Sequence, residues 1–260
     1  MVTLAVIFPP SQPPEQILAV AGAAEAAGLA ELWVWEDCFS ESGVATATAM
    51  LAATSRLTVS IGLLPVPLRN VALTAMEIAT MARLFPGRLT AGVGHGVLDW
   101  MGQVGALVES PMTLLREYTT ALSALLRGET VTARGRYVHL DEVALDWPPA
   151  VVPPLLVGGI RPRTVALAGE LSDGVIVPSS PSPDEVRAAA DHFYAGRAAG
   201  QGDVVVFASA PAAGPASAIA AMVREYAAVG ATRVAVKADE EDADLVRFAG
   251  FLGQDVNPLL

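Results

Sequence analysis

Eight short apolar runs alternate with alanine-rich stretches along the whole chain, and this repeat restricts the fold more than any other feature. The runs are rich in Val, Leu and Ile, which is typical of strands buried on both faces. They lie at Thr3–Phe8, Leu32–Trp35, Leu57–Leu64, Leu89–Val93, Leu155–Val157, Val175–Val177, Val204–Ala208 and Arg233–Val236. Eight strand–helix units predict an α/β fold, and their number favours a closed (β/α)8 TIM barrel over an open sheet.

The stretch before the fifth run departs from this repeat. Within Glu129–Leu140, Gly135 separates two segments of alternating polarity, which is typical of a β-hairpin. We therefore predict a β-hairpin insertion before barrel strand 5, preceded by a loop over 95–110. No linker or charge block divides the chain, so we expect one barrel domain over residues 1–260. Helices are expected between the runs, over residues 14–29, 45–54, 70–84, 111–127, 162–171, 184–199, 216–229 and 242–252.

The charge balance and the single cysteine limit the partners and the compartment. A formal net charge of −11 argues against nucleic acid or an anionic membrane as a partner, because either needs a basic face, so we expect neither. Cys38 is the only cysteine, which excludes an intrachain disulfide and fits a reducing cytosol. The first residues lack a signal-peptide pattern, and charged residues interrupt each long apolar stretch. We expect a cytoplasmic protein that acts on a small-molecule substrate.

The end of the fourth run contains a glycine-flanked histidine. Catalytic groups of (β/α)8 barrels lie at the carboxyl ends of the strands, and Gly94-His95-Gly96 follows this run. Gly94 and Gly96 could let the backbone approach a flat ligand; the alternative is a tight strand exit without a ligand. A neutral imidazole titrates near working pH, so His95 is a candidate ligand or proton-transfer group, the alternative being loop packing.

The end of the fifth run combines glycine, a helix start and arginine. Gly158-Gly159 precedes a helix with Pro162 in its first turn. Such a helix start offers backbone N–H groups and a positive dipole end, which suits a phosphate. Arg161 and Arg163 add local positive charge to an acidic protein. We predict a phosphate site here; the alternative is an ordinary turn whose arginines face solvent.

Other strand ends carry weaker candidates. Asp37 and Cys38 follow the second run, where a carboxylate and a thiol reach the barrel mouth, although Cys38 could equally be a small buried side chain. Glu109 is a further candidate carboxylate in the 95–110 loop. The chain has neither a His-x-His nor a Cys-x-x-Cys motif, so we expect no metal site. Lys237, the only lysine, lies at the eighth strand end and is the only route to Schiff-base chemistry.

Several motifs between Glu31 and Gly174, taken in order, resemble the luciferase-like monooxygenase superfamily. Three of them lie in or directly after predicted strands, and the others lie in predicted helices, in the hairpin and before the sixth run. They are Leu32-Trp33-Val34-Trp35-Glu36-Asp37, Ile61-Gly62-Leu63-Leu64-Pro65, Met76–Leu89, Leu115-Arg116-Glu117-Tyr118, Gly135-Arg136-Tyr137, Pro154–Gly159 and Asp173-Gly174. Beyond residue 180 the chain adds only the barrel repeat.

The resemblance implies that coenzyme F420 or reduced FMN lies in the barrel mouth. In F420-using members, a non-prolyl cis peptide in a bulge of the third strand supports the deazaflavin ring, and Gly62–Leu63 matches that position. The family binds the cofactor phosphate after the fifth strand, where Gly158 and Gly159 stand. The resemblance also implies a homodimer, for which the Ala- and Leu-rich helices could supply an apolar interface.

These observations favour hydride transfer between F420 and a small organic substrate. An FMN-dependent monooxygenase would use the same cleft and stays an alternative. A catalytically silent barrel that binds a flavin or another ligand is the third reading, because Cys38 stands where many members of the family carry histidine after the aspartate.

Overall fold

Eight parallel strands close into a barrel, which confirms the predicted (β/α)8 fold. The computed structural model describes residues 2–198 and 200–260. The strands, including those of the hairpin, are β1 (Thr3–Ile7), β2 (Glu31–Val34), β3 (Thr58–Pro65), β4 (Leu89–Gly94), β5 (Val131–Arg134), β6 (His139–Val143), β7 (Leu155–Gly158), β8 (Gly174–Val177), β9 (Asp203–Ala210) and β10 (Arg233–Ala238). Around the barrel the order is β1-β10-β9-β8-β7-β4-β3-β2.

The predicted hairpin insertion is present, since β5 and β6 pair antiparallel as a separate two-stranded sheet. Its second strand continues to Val143, beyond the predicted end at residue 140.

α-Helices lie between the barrel strands as predicted, and the described residues contain one α-helix more than predicted. They are α1 (Ile17–Ala26), α2 (Gly43–Ala53), α3 (Val71–Leu84), α4 (Leu98–Gln103), α5 (Pro111–Leu126), α6 (Pro162–Leu171), α7 (Pro183–Gly196), α8 (Ala216–Ala228) and α9 (Leu245–Phe251). The addition is α4, which lies in the predicted 95–110 loop. Six residues are too few to show a helical period in a sequence. Position 199, the predicted end of α7, lies outside the described residues. No helix in the described part of the chain is long and apolar enough to span a membrane.

Successive side chains along each barrel strand point alternately outward and inward, and they form two separate apolar clusters. Side chains such as Val6, Val34 and Val236 point outward and pack against the helices. Their neighbours point inward and form a smaller cluster inside the barrel. Its members are Ala5, Ile7, Trp33, Leu156, Ile176, Val205, Phe207 and Ala235. The inward positions at the carboxyl ends of the same strands therefore face the barrel mouth.

A network of charged side chains closes the amino-terminal end of the barrel. Arg233 donates to Glu31 at 2.8 Å and to Asp203 at 2.7 Å, and each of the three begins a strand. The Ser60 hydroxyl also donates to Glu31. The Glu31 side chain is 3% exposed, so its charge depends on these partners rather than on water.

We predict that Arg233→Ala lowers the free energy of unfolding by about 3 kcal/mol, because it leaves a buried carboxylate without its cation. Urea denaturation measures the change. Arg134→Ala is the matched control, since the Arg134–Asp141 pair is almost fully exposed and should contribute less than about 0.5 kcal/mol. Equal unfolding midpoints for the two variants would contradict the assigned role of the network.

Candidate active site

A cavity of about 1090 Å³ opens at the carboxyl ends of the barrel strands. Ligand pockets commonly hold about 300–1,000 Å³, so this one has room for a cofactor together with a small substrate. Its wall comes from the ends of all eight barrel strands, from α4 and from the first residues of α5 and α6. Among the predicted site residues, those bordering it are Asp37, Gly62, Leu63, His95, Gly96, Gly158, Gly159, Arg161 and Arg163.

A bulge in β3 places Leu63 in the cavity. The pairing of β3 with β4 shifts register between Ile61 and Leu64, and the Gly62–Leu63 peptide is cis, the distortion predicted at this position. A Cβ atom on Gly94 or Gly158 would overlap the Leu63 side chain. These two glycines therefore make room for a protein side chain. That they also approach a cofactor stays a prediction.

A cluster of aromatic side chains lies beside Gly62, since a Cβ atom there would meet the rings of Trp33 and Phe207. The Phe207 ring centroid is 5.2 Å from that of Trp33 and 5.9 Å from that of Trp35. The Trp35 indole N–H donates to Asp37 at 2.7 Å, which fixes the indole at the cavity wall. Burial raises the pKa of Asp37, and the bond from Trp35 opposes this shift. Asp37 thus acts on the site by holding Trp35.

His95 sits between β4 and α6 with one ring nitrogen engaged. Its Nε2 lies 3.3 Å from the Thr164 hydroxyl, while its Nδ1 is buried and has no partner among the described residues. Burial, and to a lesser extent the charge of Arg161, lowers the pKa of His95. The imidazole is therefore neutral at pH 7 and can accept a proton. Gly96, with φ of +69°, lets the chain turn directly after it.

Two predicted catalytic residues lie away from this group. Cys38 and Glu109 are not among the described residues that border the cavity. Burial, followed by the charges of Glu36 and Asp37, raises the pKa of the Cys38 thiol, which disfavours the thiolate. Glu109 is exposed and pairs with Arg136 of the hairpin. A sequence window cannot reveal that pairing, because the partners are far apart along the chain.

The neighbouring carboxylate Glu36 has a structural role. Arg69 donates to both of its oxygens, and the Gly43 N–H donates to it at 2.9 Å. Arg69 also pairs with Glu77. Glu36 therefore ties the β2 end to the segment after β3 and to the start of α2, whereas Asp37 binds Trp35. The two adjacent carboxylates therefore serve different partners.

The loop between β7 and α6 offers positive charge and unpaired backbone donors. Gly159 N–H is taken up by Ile176 O at 3.1 Å, so the free donors lie further along. No described residue accepts from the N–H groups of Ile160, Arg161 or Arg163. Arg161 and Arg163 are exposed and have no carboxylate within 4.0 Å among the described residues. The loop can bind an anion at the amino-terminal end of α6.

Sequence reasoning missed part of the wall. Trp35, Phe207 and Ser209 border the cavity together with Ser179 and Ser180. Both serines that follow β8 have positive φ, +71° and +49°, and the Pro178-Ser-Ser-Pro run there is a turn signal that could have drawn attention to them. Trp35 and Phe207 could be predicted from the alternation of side chains along a strand only if it were known which residues of that strand point into the barrel.

A (β/α)8 barrel with a large cavity and a cationic loop at its strand ends has the architecture of an enzyme that binds an anionic cofactor. Residues 3–254 match the model of the family described as luciferase-like monooxygenase, and the chain belongs to this family.

One relative in sequence and two solved structures are similar to this chain. The chain is 28% identical over 194 residues to a 5,10-methylenetetrahydromethanopterin reductase of Methanolobus tindarius, covering 75% of this chain and 59% of that protein. A coenzyme F420-dependent tetrahydromethanopterin reductase from Methanopyrus kandleri superposes with a TM-score of 0.84, 19% identity and 99% of both chains covered. The oxygenating constituent of 3,6-diketocamphane monooxygenase from Pseudomonas putida, in complex with FMN, gives 0.78 and 15%, covering 100% of this chain and 99% of that one. The matched region thus spans less than two thirds of the length of the Methanolobus tindarius reductase. The two solved structures have the same fold as this chain.

We predict that His95 titrates below its ordinary value of 6.5, measured by NMR of its ring proton and assigned with a His95→Gln variant. Arg161→Ala should raise the pKa of His95 part of the way, since burial is the larger cause. Arg163→Ala removes a cation of the same loop that does not contribute to the lowering, so it serves as the control.

The lowered pKa of His95 also predicts how the stability of the protein depends on pH. The unfolded chain binds this proton more readily, so the contribution of His95 is present above pH 6.5 and decreases as the pH falls through that value. If the NMR titration of His95 in the wild-type protein has its midpoint above pH 6.5, the buried environment assigned to His95 is wrong.

Proposed function

We propose that this protein is an oxidoreductase that transfers hydride between coenzyme F420 and a small organic substrate. The observation that carries the proposal is the cavity itself, which joins an apolar surface around Leu63 to the cationic loop at Arg161 and Arg163. An elongated cofactor with a flat ring at one end and a phosphate further along matches this division. The likeness to the coenzyme F420-dependent reductase from Methanopyrus kandleri supports the choice of cofactor.

The residues present fit such a group. Leu63 and Trp35 offer apolar contact for a ring, and the free N–H groups of Ile160 and Arg163 offer donors for a phosphate. When bound, the deazaflavin supplies the carbon centre that gives or takes hydride. Trp35 and Phe207 give this part of the cavity an apolar wall.

His95 is the residue that would handle the substrate proton. A neutral imidazole accepts the proton of an alcohol as hydride leaves, or returns it in the reverse direction. The Thr164 hydroxyl orients the ring through Nε2. Asp37 acts indirectly, by fixing Trp35.

An FMN-dependent monooxygenase is the second candidate, and the fold shared with the FMN complex from Pseudomonas putida favours it. Both cofactors carry a flat ring and a phosphate, so the same loop would serve either. A silent barrel would bind one of them without turnover.

We predict that F420 binds at least about tenfold more tightly than FMN in anaerobic fluorescence titrations of both oxidation states. Arg161→Ala and Arg163→Ala should each weaken F420 binding by about 1–2 kcal/mol, because each removes a partly exposed charge-assisted contact. Arg247→Ala is the control, since Arg247 is exposed on α9 away from the cavity.

Three results would decide against parts of this proposal. Tighter binding of FMN, with oxygen-dependent turnover, selects the monooxygenase. Binding of F420 without oxidation or reduction by a panel of alcohols, aldehydes and imines selects the silent barrel. Undiminished F420 affinity in the Arg161→Ala/Arg163→Ala double variant places the phosphate elsewhere.

We further propose that the protein is a homodimer. Leu73, Met76 and Leu84 of α3 are 47%, 58% and 62% exposed, and exposed apolar side chains on one helix favour association. Sedimentation velocity at micromolar concentration should give the mass of two chains, and Met76→Glu should shift it toward one. A wild-type monomer refutes this proposal.

A further inference from the structure

Lys237 is the inward-facing residue at the carboxyl end of β10. Along this strand Arg233, Ala235 and Lys237 share one phase: Arg233 closes the amino-terminal end of the barrel, and Ala235 belongs to the inner apolar cluster. Lys237 therefore points toward the mouth, where it borders the cavity and is half-buried. Its register partner on β9 is Ser209, which borders the cavity as well.

The Lys237 ammonium has no anionic partner in the described part of the chain. No carboxylate oxygen of a described residue lies within 4.0 Å of it, whereas Arg233 on the same strand face contacts two carboxylates. The acidic residues that border the cavity have other partners, because Glu36 pairs with Arg69 and Asp37 accepts from Trp35. A half-buried ammonium without a counter-charge is available to an anionic ligand that enters the cavity.

Lys237 is separated from the cationic loop. In the barrel β10 and β7 are divided by β9 and β8, so the ammonium and the Arg161–Arg163 pair lie on different parts of the wall. The wall between them carries the hydroxyl groups of Ser179, Ser180 and Ser209. One phosphate at the start of α6 therefore leaves Lys237 free for a second anionic group.

We propose that Lys237 and Ser209 form an anion subsite for the substrate, and that the substrate is an organic acid with an apolar body. Phe207 lies one inward position below Ser209 on β9, and Trp35 packs beside Phe207. An anion held at Lys237 thus has an apolar surface next to it. A single ammonium and a hydroxyl match a carboxylate, and a charge-assisted hydrogen bond supplies the selectivity. The assignment to substrate rests on the proposed function, since it reserves the Arg161–Arg163 loop for the cofactor.

The test uses benzoate and benzyl alcohol, two probes of similar size that differ in charge, titrated calorimetrically into the F420-loaded protein. Wild type should bind benzoate at least about tenfold more tightly than benzyl alcohol. Lys237→Met, of similar length without charge, should remove this preference and leave the affinities for benzyl alcohol and F420 unchanged. Ser209→Ala should weaken benzoate by a smaller factor. Arg247→Met, an exposed change of the same type, should leave both probes unaffected.

The outcomes separate this proposal from the preceding one. Unchanged benzoate affinity in Lys237→Met, with a wild-type circular dichroism spectrum, overturns the subsite. Loss of F420 affinity in Lys237→Met with benzoate unaffected assigns the ammonium to an anionic group of the cofactor and overturns the substrate assignment. If F420 does not bind at all, the proposed function fails, and the same titrations on the cofactor-free protein still test Lys237. A lost benzoate preference there supports the subsite, and a retained one excludes it.

Discussion

The packing of Leu63 against Gly94 and Gly158 determines the shape of the cavity on which the site depends. Any side chain at either glycine would occupy the space that Leu63 fills, so the bulge in β3 requires glycine on β4 and β7. Gly62 is restricted in the same way, since a Cβ there would meet Trp33 and Phe207. Glycines that resemble ligand-binding positions in the sequence thus first serve contacts between protein side chains.

The sequence was sufficient for the barrel, the hairpin and the location of the cavity, because these follow from repetition and from the rule that active sites lie at strand ends. It also placed His95 and the Arg161–Arg163 loop at the mouth. It could not show that Gly159 N–H is used in the sheet, that Glu109 pairs with Arg136, or that Arg69 neutralises Glu36. Each of these is a contact between distant parts of the chain, and no local pattern encodes it.

The distribution of charge in the cavity is opposite to that of the whole protein. The chain carries a formal net charge of −11, yet Arg161, Arg163 and Lys237 border the cavity without carboxylate partners within 4.0 Å in the described residues. A cationic recess with low-dielectric walls attracts anions locally even when the distant field repels them. An acidic surface and an anionic ligand are therefore compatible in this fold.

The Glu31–Arg233–Asp203 network determines from which end of the barrel a ligand can enter. Together with the side chains packed above it, this network fills the barrel below the cavity, so the described structure provides access from the strand ends alone. Any ligand of this cavity therefore enters and leaves past the strand ends. The ion pairs at the far end of the barrel thereby limit the route of access to a site that they do not touch.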